Sequence, residues 1–211
     1  MNKNKLLKFA LYLSIITILY NIIEGLVSIN FGIEDETIAL FGFGIDSFVE
    51  VISGIGILHM IIRMQNTTVE KHDKFELKSL KITGTAFYIL AIGLVVGSIL
   101  NIFYNIKPKT TFVGILISLI SIITMYILMK TKFNVGNKLN SDAIIADANC
   151  TKTCFYLSFI LLASSGLYEI FGISYFDIIG AIGIAYFAFK EGEESFEKSK
   201  RNIITSCDCN Y

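Results

Sequence analysis

The sequence predicts an all-α integral membrane protein of six transmembrane helices, with both termini in the cytoplasm. Two observations carry the fold class. Of the 211 residues, 54% are apolar or aromatic, with one Pro and no Trp, and they fall in long runs instead of alternating with polar residues. Several runs approach the roughly 20 residues that cross a hydrocarbon core of about 30 Å. A third observation, the uneven placement of Lys and Arg, sets the orientation.

The elements follow in order along the chain. A first span at about 6–32 ends in the acidic turn Glu34-Asp35-Glu36, and a second follows at about 38–62. No small-residue cleavage site follows Gly32, so the first span is not a cleaved signal peptide. A charged loop at 63–79 leads to a third span at about 80–103, which ends at Lys107-Pro108-Lys109. A fourth span at 112–129 enters a basic loop at 130–140. The fifth lies at about 142–170 and the sixth at about 175–189, completing a six-helix transmembrane domain over 1–190; 191–211 reads as a short charged cytoplasmic tail. Glycines at 42, 44, 54, 56, 180 and 183 suit close helix packing.

All but three of the eighteen Lys and Arg lie in the N-terminus, the loops after spans two and four, and the tail. The exceptions are Lys107, Lys109 and Lys152. With an even number of spans, the positive-inside bias places both ends in the cytoplasm, as expected of a multi-pass protein of the cell membrane. The formal net charge is zero, so no basic field argues for nucleic acid.

Ionisable groups in hydrocarbon need a partner, a cavity or a function. Span two carries Asp46 and Glu50, whose four-residue spacing puts both carboxylates on one helix face, about 6 Å apart along the axis. Such anions repel unless one is protonated or a cation lies between them. Span five carries Asp147, Cys150 and Cys154 on one face, the thiols again four residues apart. Counting about 1.5 Å per residue from each helix start sets Asp46 level with Cys154 and Glu50 with Cys150, near the bilayer midplane. Two oxygens and two sulfurs at one depth can form a tetrahedral divalent-metal site. The plainer readings are a buried polar helix face for the acids and small apolar packing residues for the thiols.

These residues resemble the cation diffusion facilitators, proton-coupled exporters of zinc and related metals. The likeness runs over nearly the whole chain. It is densest from Ile38-Ala39-Leu40-Phe41-Gly42 through Asp46-Ser47-Phe48-Val49-Glu50, and in Ala146-Asp147-Ala148. The family's span two offers paired Asp, or His and Asp, at the spacing of Asp46 and Glu50. Its span five reads Ala-Asp, then His, then Asp, and the last two positions are Cys150 and Cys154 here. Family members commonly add a cytoplasmic dimerising domain. This chain is similar to the short bacterial form with the membrane domain only.

The resemblance implies efflux of a divalent heavy-metal cation by alternating access, in exchange for protons, by a homodimer. Two thiols tilt the expected cargo toward zinc, cadmium or another thiophilic ion. Metal binding would expel thiol protons, the coupling an antiporter needs. No prosthetic group is expected. The expected partners are the transported ion (zinc foremost), protons as counter-ion, the bilayer and a second copy of the chain. A non-transporting membrane metal sensor or subunit of the same fold is the alternative. An enzyme is not expected, because no nucleophile–base arrangement, HExxH helix or Gly-rich phosphate loop occurs.

Other residues are open to two readings. Asp147 is a partner behind the metal ligands or a polarising group at the pathway entrance. Asn21 and Glu24 in span one line the pathway or make a polar interhelical contact. His72 and Asp73 form a secondary metal site or a solvated charge cluster. Cys207 and Cys209 capture metal or are incidental tail thiols. His59 and Lys152 point away from Asp46 and Cys150 by helical angle.

Overall fold

A computed structural model describes residues 3–66 and 74–201. It contains six α-helices: α1 (Lys3–Glu34), α2 (Ile38–Asn66), α3 (Lys74–Tyr104), α4 (Phe112–Leu139), α5 (Asp142–Phe171) and α6 (Tyr175–Arg201). No strand occurs among the described residues. His72, Asp73, Cys207 and Cys209 lie outside them.

Five helices, α1 to α5, are long and apolar enough to cross a membrane. The sixth is apolar in its first half and charged in its second. The pattern of burial is that of a membrane protein turned outward. Tyr12, Ile16, Leu19, Ile23 and Leu26 form an exposed stripe on α1, while Ser14, Asn21, Glu24 and Ser28 of the same helix are buried. Tyr175, Ile179, Ile182, Tyr186 and Phe189 repeat that outward stripe on α6. Lipid tails are as apolar as Leu, so helix association here depends on close backbone approach and polar contacts instead of apolar burial. The protein is an all-α, multi-pass membrane protein.

The helices pack chiefly as three pairs: α1 with α2, α4 with α5, and α3 with α6. Missing side chains allow this. A Cβ on Gly44 would stand 2.8 Å from the Ile29 backbone nitrogen, and one on Gly25 would stand 3.0 Å from the Gly44 carbonyl. On the third pair, Gly84 and Gly192 face each other, each bare Cα within about a van der Waals contact of the other's carbonyl: added Cβ atoms would lie 3.1 and 3.2 Å away. Tyr88 stacks on Phe196 beside this crossing, with ring centroids 5.5 Å apart.

Two apolar clusters mark the two ends of the bundle. Leu6, Leu7, Ile61, Leu128, Val135 and Ile144 gather where α1 begins and α2 and α4 end, the basic end. Ala39, Phe43, Leu94, Leu161, Ala181 and Ile184 gather toward the opposite, acidic end. There the connections interlock. The Lys109 ammonium bridges Glu36 at 3.0 Å and donates to the Glu34 carbonyl at 3.0 Å. Thr111 donates its hydroxyl to the Ser165 carbonyl at 2.7 Å and its N–H to Glu169 at 3.1 Å. Asp177, in the first turn of α6, accepts the N–H groups of Ile38 and Ala39 at 2.9 and 3.2 Å. It thus caps α2, whose first N–H groups have no partner within their own helix.

Several boundaries differ from the sequence expectation. The helices continue past the apolar runs, because nothing in the polar flanks breaks them: α2 reaches Asn66, α3 starts at Lys74, and α4 continues to Leu139 through the expected basic loop. Asn140 then takes a left-handed conformation, φ 46°, and Ser141 caps α5. Residues 191–201, expected as part of a tail, are the last turns of α6 and pack on α3 through Gly192 and Phe196.

Candidate metal-binding site

The α1–α2 packing fixes the acids. With Gly44 pressed against α1, the next turns of α2 present Ser47 and Glu50 to α1, and Asp46 is 3% exposed. Glu50 makes the central contacts. One carboxylate oxygen accepts from the Asn21 side-chain amide at 3.0 Å, and the other accepts the Cys154 thiol. Cys154 is buried and also approaches the Cys150 carbonyl at 3.5 Å. Glu24 accepts hydrogen bonds from Tyr20 at 2.9 Å and Ser47 at 3.1 Å. Asp46 lies within electrostatic reach of Glu24, Glu50 and Glu191. One Asp46 oxygen and the Asn21 side-chain oxygen are buried with no hydrogen-bond partner. Buried polar atoms are rarely left so, and each such case calls for a physical explanation.

A cavity of about 90 Å³ opens beside this cluster, room for a few waters or a partly hydrated ion at about 30 Å³ per water. Asn21, Glu50, Cys150, Asp147 and Glu191 line it, together with Glu76 and Lys198 from the basic-end turns of α3 and α6. Arg63 pairs with Glu76 at 2.6 Å.

The expected ligands are thus partly assembled. Glu50 and Cys154 touch, Cys150 lines the same cavity, and Asp46 and Cys154 are in electrostatic reach. Among the described residues, no three His, Cys, Asp or Glu side chains stand close enough to hold an ion. The depth pairing is corrected: Glu50, not Asp46, meets Cys154 directly. Counting from helix starts gives both helices one boundary, whereas their real offset is set by packing, and a Glu side chain reaches farther than Asp.

Asp147 has a partner that the sequence reading assigned to a loop. Lys132 is 1% exposed, and its ammonium donates to Asp147 at 2.9 Å and to Thr151 at 3.0 Å. The signal was present: Met125, Leu128, Lys132 and Val135 share one buried stripe of α4 at helical spacing. Glu191 was also overlooked, because its charged neighbours read as tail. His59 packs against Phe75 with ring centroids 4.8 Å apart and planes tilted by 49°, and Lys152 lies 5.7 Å from the Tyr156 ring centre.

Lipid-facing apolar stripes around a buried acid–thiol cluster, with a cavity leading to it, are the build of a multi-pass membrane protein with a cation-attracting interior. A family model for the cation efflux transmembrane domain matches residues 11–204, and the chain belongs to that family. The family is one of transporters, not of enzymes. The chain is 29% identical over 175 residues to an uncharacterized transporter of Methanocaldococcus jannaschii, covering 81% of this chain and 62% of that relative. It is 27% identical over 197 residues to the manganese efflux system protein MneP of Bacillus subtilis, covering 88% of this chain and 66% of that relative. The chain therefore spans somewhat less than two thirds of the length of either relative.

Proposed function

We propose that this chain exports a divalent, thiophilic metal cation, zinc or cadmium, across the cell membrane in exchange for protons, with both termini cytoplasmic and a second copy as its partner. The cargo binds between Asp46 and Glu50 of α2 and Cys150 and Cys154 of α5. One observation carries the reading: the Cys154 thiol donates to the Glu50 carboxylate, and Glu50 lines one cavity together with Cys150. An ion arriving there replaces the thiol proton, and Asp46 and Cys150 swing in by side-chain rotation to close the shell. Thiolate ligands must lose their protons, so loading releases protons and reprotonation loosens the ion. Glu76, Ser195 and Lys198 of the cavity lining come from the basic-end turns of α3 and α6, the cytoplasmic side by the Lys and Arg bias, so cargo would enter from the cytoplasm.

The name of the relative MneP favours a second cargo, manganese, which prefers oxygen ligands. Purified protein titrated with zinc, cadmium and manganese, and flux in sealed vesicles, separate the readings. Tight zinc or cadmium binding with proton-linked flux, both lost in Cys154→Ser, is the expected result. Manganese flux untouched by Cys154→Ser overturns the thiol assignment, and binding without flux of any metal indicates a sensor.

A further inference from the structure

The Lys132 ammonium stands in a setting made for a cation. It is held by one oxygen of Asp147 at 2.9 Å and by the Thr151 hydroxyl at 3.0 Å, while Ser14 lies 3.5 Å from the other Asp147 oxygen. Thr151 gives its own proton to the Asp147 carbonyl at 3.1 Å, leaving its oxygen free to accept from the ammonium. The arrangement joins α1, α4 and α5. Asp147, one turn before Cys150, and Thr151, the residue after it, also line the cavity.

Without that ammonium, Asp147 would be an unneutralised carboxylate one turn from Cys150, facing the same cavity. A transport site must bind strongly enough to load and weakly enough to release, and one more carboxylate beside two thiols and two acids would tip it toward retention. Resting on the metal-site reading above, we propose that Lys132 is a tethered counter-cation that occupies Asp147, keeps that carboxylate from ligating the cargo, and thereby sets an affinity compatible with release. Lys132 is a positioning residue in this scheme and touches no metal.

The test uses purified full-length protein titrated with zinc against a competing chelator, and the same protein in vesicles. Lys132→Met keeps the chain length and removes the charge. It should bind zinc about tenfold more tightly, with both KM and maximal flux lowered. Lys132→Met with Asp147→Asn should restore both toward the starting values. A purely structural pair would give looser or unchanged binding in Lys132→Met, and that result overturns the proposal, as does failure of the double variant to restore release. If Lys132→Met does not fold, Asp147→Asn alone answers: it leaves the ammonium uncompensated and should weaken zinc binding about tenfold, whereas unchanged affinity overturns the proposal. Absence of zinc binding by the unaltered protein would instead reject the metal-site reading itself.

Discussion

Asn21 of α1 holds Glu50 of α2 by a 3.0 Å hydrogen bond from its side-chain amide, and the Asn21 oxygen left over is buried without a partner. The first helix therefore aims the acid that meets Cys154 and adds a hard oxygen beside it. Asn21→Ala should leave the fold intact and weaken zinc binding about tenfold, in line with the roughly 1–3 kcal/mol for a buried polar group losing its partner. Binding equal to that of the unaltered protein would remove Asn21 from the site.

The balance of sulfur and oxygen around Glu50 should decide which metal binds. On the proposed site, Cys154→Asp would replace a soft ligand by a hard one at the same spot. Zinc and cadmium affinity should fall and manganese affinity should rise, so that the ratio shifts by about a hundredfold in a competition titration. A ratio unmoved by the substitution would show that Cys154 does not touch the cargo.

Asp177 can be tested without any metal. It accepts two N–H groups at the start of α2, and loss of a capping side chain costs about 0.5–2 kcal/mol. Asp177→Ala should lower thermal stability in detergent by that order and raise hydrogen exchange at Ile38 and Ala39 above all other amides of α2. The ion pair of Lys109 with Glu36 makes a control: both side chains are largely solvent-accessible, so Lys109→Ala should cost less than about 1 kcal/mol.

The α3–α6 crossing should tolerate no larger residue. A Cβ at Gly192 meets the Tyr88 ring at 2.9 Å as well as the Gly84 carbonyl. Gly192→Val should destabilise by about 1–3 kcal/mol, the usual cost of overpacking, seen as a lower unfolding temperature. Gly93 has open space around it, and Gly93→Ala should be neutral or slightly stabilising.

Much of this was legible in the sequence, and the misses have physical causes. Apolar runs and charge placement mark six helices because bilayer thickness and backbone hydrogen bonding leave few alternatives. The four-residue spacings of Asp46 with Glu50 and Cys150 with Cys154 are fixed by helix geometry, so their shared faces could be read directly. The axial offset between α2 and α5 could not, since it is set by how the helices pack in three dimensions and not by spacing along either one. Lys132 and Glu191 were lost for one shared reason: charged residues were assigned to loops, whereas both helices continue unbroken and carry these charges inward. Reading the buried stripe of α4 one turn further would have found Lys132.

The meeting of Gly84 and Gly192 has a mechanical consequence. The Phe196 ring fills the gap at Gly84 and the Tyr88 ring the gap at Gly192, so each helix lodges an aromatic side chain in the notch of the other and neither slides without freeing it. The α3–α6 pair therefore moves as one piece, while α2 is tethered to the head of α6 by Asp177. A tilt of that pair would drag the start of α2 with it, so that the helix bearing Asp46 and Glu50 is worked from the far end like a lever.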